Sequence, residues 1–147
     1  MIYASDKTQS SMRSWCKDQG FNISKSYSGK DIKPEDFDFH ITIVASKNPV
    51  FVPITQHQIQ PIKLKPYGFE ALGVEQKVPT IRFEPSTPLK ILREFYIKIY
   101  GIQPTFENFK PHMTVSYSWK GRPKLDKVSL PTFPLIFDQL IVKDFET

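Results

Sequence analysis

Two short runs constrain this chain more than anything else in it: FDFHITIVA at 37–45 and FKPHMTVSYSW at 109–119. Both are dense in β-branched and aromatic residues, the composition of strands. Both carry His-x-Thr, His40 with Thr42 and His112 with Thr114. Side chains alternate between the faces of a strand, so residues i and i+2 point the same way. Each run therefore offers an imidazole beside a hydroxyl on one face. Ile41 and Ile43, or Met113 and Val115, fill the other.

The segments before the two runs are alike. IYAS at 2–5 reads as a short strand, and SSMRSWCKDQG as a helix with Ser10 or Ser11 as N-cap and Gly20 as terminator. Met12, Trp15 and Cys16 share a face of that helix at i, i+3, i+4 spacing. Residues 22–36 are polar and read as a loop. In the second half, VPTIRFEP reads as a strand and STPLKILREFYIKIYG as a helix. Ser86 or Thr87 caps it, Pro88 sits in the first turn and Gly101 stops it. Leu89, Leu92, Tyr96 and Ile99 line the expected buried side. The intervening 46–61 contains Pro49, Pro53 and Pro61 and suits an extended connection or edge strand. IKLKPYGFEALG reads as another strand and PLIFDQLIVKDF as the last. The repeated order predicts an α+β protein, one domain over 1–147, with two lobes whose sheets face each other. One lobe spans roughly 1–45 plus the C-terminal strand, the other 60–130.

At 147 residues there is room for one core. No apolar stretch reaches the roughly 18–20 residues of a membrane span, and the N-terminus lacks signal-peptide character. The single Cys16 excludes an internal disulfide and fits a reducing cytoplasm. One Cys and three His at 40, 57 and 112 give no zinc-ligand spacing, so neither metal nor other cofactor is expected. A net charge of +5 is a mild bias towards anionic partners, short of the basic stripe of a duplex binder.

The paired motifs suit phosphodiester cleavage without metal. That reaction needs a base for the nucleophile and an acid for the leaving oxygen. Imidazole performs either near neutral pH. Two hydroxyls one step along the strands can donate to the non-bridging oxygens. Of three His, two have Thr at i+2, whereas His57 in TQHQIQ has no such setting and reads as surface.

FHITIV and PHMTVSY, paired across a pseudo-duplicated chain, resemble the two His-x-Thr/Ser motifs of the 2H phosphoesterases. That resemblance implies two pseudo-symmetric antiparallel sheets around a central groove, helices outside, and no metal. The first-strand tyrosine of IYAS, the SWCKDQGF helix and FHITIV are further similar to phage anti-CBASS phosphodiesterases, which destroy the cyclic oligonucleotide messengers of bacterial CBASS immunity. The resemblance gives His40, Thr42, His112 and Thr114 the catalytic places and Tyr3 a pocket-lining one. It implies a base-stacking aromatic between the motifs, for which Tyr67 or Phe69 in KPYGFEALG is the candidate, and an acidic residue from the last strand, Asp138 or Asp144. By strand parity Tyr117 continues the His112/Thr114 face towards the groove rim. The implied function is cleavage of 3′–5′ bonds in cyclic di- or trinucleotides in the host bacterial cytoplasm, with no membrane or nucleic-acid duplex as partner. The alternatives are a cellular 2H enzyme acting on RNA ends or 2′,3′-cyclic phosphates, and a non-catalytic nucleotide sponge.

Overall fold

The computed structural model describes residues 1–143. It has seven strands and two α-helices: β1 (Ile2–Ala4), α1 (Asp6–Gln19), β2 (His40–Ile41), β3 (Thr55–Leu64), β4 (Pro66–Leu72), β5 (Val78–Phe83), α2 (Thr87–Tyr100), β6 (His112–Thr114) and β7 (Leu135–Val142). The strands form one sheet in the order β3-β7-β1-β2-β6-β5-β4, with every pairing antiparallel. The repeated order predicts two sheets, and the strands here lie in one. They are joined because the two motif strands pair with each other, Ile41 opposite Met113.

The repeated order is visible on either side of that seam: β1, α1 and β2 in one half, β5, α2 and β6 in the other. A row of paired residues crosses the sheet: Leu140, Ile2, Ile41, Met113, Ile81 and Phe69. The first five are 2% exposed or less, and Phe69 packs on the same core. Burying each such side chain stabilises the fold by about 1.5–3 kcal/mol. Met12 and Cys16 of α1 and Leu89 of α2 join this cluster, so one face of the sheet is the core. Alternation then turns His40, Thr42, His112 and Thr114 to the other face.

Helix α1 starts earlier than Ser10 or Ser11. The Ser5 hydroxyl accepts from Thr8 N at 3.3 Å, and Asp6 places a carboxylate in the first turn. The extra turn includes Gln9, which is buried. The end is as expected: Gly20 takes φ 88°, the left-handed conformation that glycine tolerates, and Phe21 N donates to Cys16 O at 2.8 Å. In α2, Ser86 caps through Leu89 N and Gly101 closes the helix at φ 61°. Its buried side differs from the expected stripe. Leu89 and Arg93 are buried and Leu92 and Tyr96 are partly so, but Ile99 is 58% exposed.

Both His-x-Thr runs are shorter as strands than their composition suggests. At 37–45 helix side chains supplement the ladder around the motif, where Ala4 N of β1 donates to Phe39 O at 3.0 Å. Gln9 Nε2 donates to Phe39 O (2.9 Å) and Gln9 Oε1 accepts from Phe39 N (2.8 Å). Arg93 Nη1 donates to Ile43 O (2.9 Å). A buried amide from α1 and a buried guanidinium from α2 thus bracket His40-x-Thr42. The 55–64 region is an edge strand, with a register shift between Gln58 and Ile62 around Pro61, and it carries His57 exposed.

Candidate active site

The Ile41–Met113 pair has a simple geometric consequence. In an antiparallel pair, counting one residue outward sets His40 beside Thr114 and Thr42 beside His112. Directly opposed side chains are about 4.5–5.5 Å apart at Cβ and diagonal ones about 7–8 Å. The two imidazoles therefore occupy diagonal corners of a square and the two hydroxyls the others. All four line a single cavity of about 310 Å³, within the lower range of small-ligand sites.

Each imidazole is held in the same way. His40 Nδ1 lies 3.1 Å from Asp38 O, and His112 Nδ1 lies 2.9 Å from Lys110 O. A carbonyl only accepts, so Nδ1 carries hydrogen in both rings, and in the neutral tautomer the lone pair is on Nε2. The Tyr3 ring stacks on His40 at 4.9 Å between centroids and 22° between planes. The neighbouring backbone is fixed too: Val115 N donates to Pro79 O at 3.0 Å, and Phe83 N to Pro111 O at 3.1 Å.

The surroundings are electropositive. Lys143 and Met1 line the cavity, and among the described residues no lining side chain is acidic. Burial above all, aided by Lys143, the Met1 amino group and His112, lowers the His40 pKa to about 4, against the opposing hydrogen bond to Asp38. Burial likewise pushes the Tyr117 phenol up, with Tyr3 and Tyr27 adding to it and a hydrogen bond with Thr114 opposing. Lys143 Nζ also sits 5.6 Å from the Tyr3 ring centroid. Its amino group thus stands above the ring that backs His40.

The remaining expected site residues separate. Tyr117 lines the cavity, edge-on to Tyr27 at 5.8 Å. Tyr3 does not; it is buried behind His40 and borders a different, polar cleft. Tyr67 is 56% exposed at a register shift of β4 and lies away from the cavity. Phe69 faces the core, because it pairs with Ile81 and stacks on Trp15 at 6.1 Å. Neither therefore borders the cavity. Asp138 falls where the pairing of β7 with β1 shifts register and is not a lining residue; Asp144 lies outside the described residues.

Several participants carried no sequence signal of their own. Thr80 lines the cavity opposite Thr114, and Arg82 pairs with His112. Arg82 is buried, ion-paired to Glu70, with its Nε lacking a partner among the described residues. The i, i+2 relation of Thr80 and Arg82 within VPTIRF places both on the motif face once the strand is recognised. Lys143 had no such clue. Among the described residues no three His, Cys, Asp or Glu side chains converge as a metal site, and no helix is long and apolar enough to cross a membrane. A larger cavity of about 510 Å³ lies beyond Met1 and Lys143, lined chiefly by apolar residues such as Val44, Val50 and Ile102. It contains neither His-x-Thr pair.

No curated protein matches the chain. The family model described as anti-CBASS protein Acb1 matches residues 2–147. With that match covering nearly its full length, the chain belongs to the Acb1 family of anti-CBASS proteins.

Proposed function

We propose that the protein is a metal-independent phosphodiesterase that opens cyclic di- or trinucleotides at 3′–5′ linkages, removing the messengers of CBASS immunity. The observation that carries this reading is the square of two imidazoles and two hydroxyls around one cavity in which, among the described residues, no lining side chain is acidic. In this reading the sheet halves on either side of the seam act as the two lobes of a 2H phosphoesterase, roughly 1–45 with the C-terminal strand and 60–130.

His40 is the base. Its lowered pKa keeps it neutral, and Nε2 takes the proton of the ribose 2′-OH beside the scissile linkage. The bound phosphate, an anion, offsets the charge of Lys143 and raises the basicity of His40 as the substrate enters. The 2′-oxygen attacks phosphorus and the P–O5′ bond breaks. Protonated His112 delivers its Nε2 proton to the departing 5′-oxygen. Thr42 and Thr114 donate to the non-bridging oxygens. The product is a linear oligonucleotide ending in a 2′,3′-cyclic phosphate. The nucleophile is already tethered next to phosphorus, so its effective concentration is high.

The test uses a 3′,3′-cyclic dinucleotide and its 2′-O-methyl analogue, with products resolved by chromatography and mass spectrometry. The expected result is a linear product with a 2′,3′-cyclic phosphate from the first, and binding without cleavage of the second. Rapid cleavage of the analogue would show that water is the nucleophile and remove this mechanism.

A further inference from the structure

A cyclic dinucleotide carries two phosphates on opposite sides of one ring, and the proposed chemistry uses only one of them. The scissile phosphate faces His40, His112 and the hydroxyls of Thr42 and Thr114. Its partner in the ring cannot share those groups, because two riboses hold it away. The cavity of about 310 Å³ is at the foot of the range that drug-sized ligands occupy, about 300–1,000 Å³. A cyclic dinucleotide therefore extends past its walls. Lys143 stands at one such wall, lining both this cavity and the larger one beyond it.

In the pairing of β7 with β1, Leu140 sits opposite Ile2 on the core face. Three residues on, Lys143 falls to the other face, with His40 and Thr42. β7 is two strands from β2 and three from β6. At about 4.8 Å per strand, Lys143 reaches the cavity from the His40 side and not from between the imidazoles. Its Nζ lies 5.6 Å from the Tyr3 ring centroid. Among the described lining side chains it is the only lysine or arginine. Among the described residues it forms no ion pair.

We infer that Lys143 holds a second, non-scissile phosphate of the cyclic substrate, and so favours rings over single linkages. This rests on the proposed phosphodiesterase reading and adds to it a basis for substrate choice. An ammonium is a point charge with three donors, suited to a phosphate that must be held but not reacted. A linear dinucleoside monophosphate has the same two nucleosides and the same 3′–5′ linkage but no second phosphate. Lys143 therefore contributes little to its binding.

The experiment is a double-mutant cycle between Lys143 and the second phosphate. Calorimetry gives dissociation constants for the 2′-O-methyl 3′,3′-cyclic dinucleotide and for the 2′-O-methyl dinucleoside monophosphate of the same bases. The proteins are the wild type, Lys143→Met and Lys143→Arg. Lys143→Met should weaken the cyclic ligand about tenfold, as loss of a charged contact at an exposed position does, and the linear one by less than about twofold. Lys143→Arg keeps the charge and should bind the cyclic ligand nearly as tightly as the wild type. Any change in the charge of His40 on removing Lys143 acts on both ligands and cancels in the comparison. Equal weakening of both ligands would assign Lys143 to the scissile phosphate, and unchanged binding of both would remove it from the site. Either result overturns the inference, as does a wild type that binds neither ligand. Turnover of the unmethylated cyclic dinucleotide by the wild type is measured alongside. The expected coupling without turnover would sink the phosphodiesterase reading and leave the phosphate site standing, so the two failures are distinguishable.

Discussion

The charge state of His40 is set by its neighbours rather than by the imidazole itself. With a folded pKa near 4 against an ordinary 6.5, the unfolded chain binds a proton over a pH range in which the folded chain does not. Stability contributed by neutral His40 is complete above about pH 6.5 and is lost as pH falls towards 4. Denaturant midpoints measured at pH 7 and pH 4.5 should therefore differ less in His40→Gln than in the wild type. An unchanged difference would mean that His40 is not the group responsible. Lys143→Met removes one of the repelling charges, so the His40 titration followed by NMR should move upward. Because burial is the larger cause, it should remain below 6.5.

At the scale of elements, the first motif strand is held by side chains from the helices as well as by strand pairing. Gln9→Leu leaves Phe39 N unpaired beside the site and should cost about 1–3 kcal/mol. It should lower turnover further by loosening the residue before His40. A Gln9→Leu protein with wild-type activity and stability would show that α1 does not position the motif. The same bonds explain what was legible in the sequence. Alternation in FHITIV and HMTV fixed which residues face the cavity and which face the core, because parity survives even where the ladder is short. The extent of the strands was not legible. Nothing in FDFHITIVA reveals that residues 39 and 43 bond to Gln9 and Arg93, which are distant in sequence. Phe69 lies away from the cavity for a related reason: its face depends on pairing with Ile81, and glycine beside it says nothing of register. Ser5 as N-cap was legible in principle, since Ser–Asp precedes the helical pattern, but the apolar periodicity begins only at Met12.

For the whole molecule, the seam between β2 and β6 converts an internal near-repeat into one composite site. Met113 is wholly buried at that seam, and Met113→Ala should cost about 2–5 kcal/mol through the cavity it leaves. Since the groups around the site are imidazoles, hydroxyls and amines, with no converging metal-ligand set among the described residues, cleavage should persist in excess EDTA. Loss of activity that Mg²⁺ or Mn²⁺ restores would contradict this. The most direct measurement is multiple turnover of a 3′,3′-cyclic dinucleotide by the wild type, His40→Ala and His112→Ala, in EDTA, with folding of each variant checked by circular dichroism. The account predicts that the wild type consumes many equivalents of substrate and that each variant, still folded, is slower by about 10²–10⁴. Stoichiometric binding without turnover by the wild type, or near-wild-type rates in either variant, would contradict it.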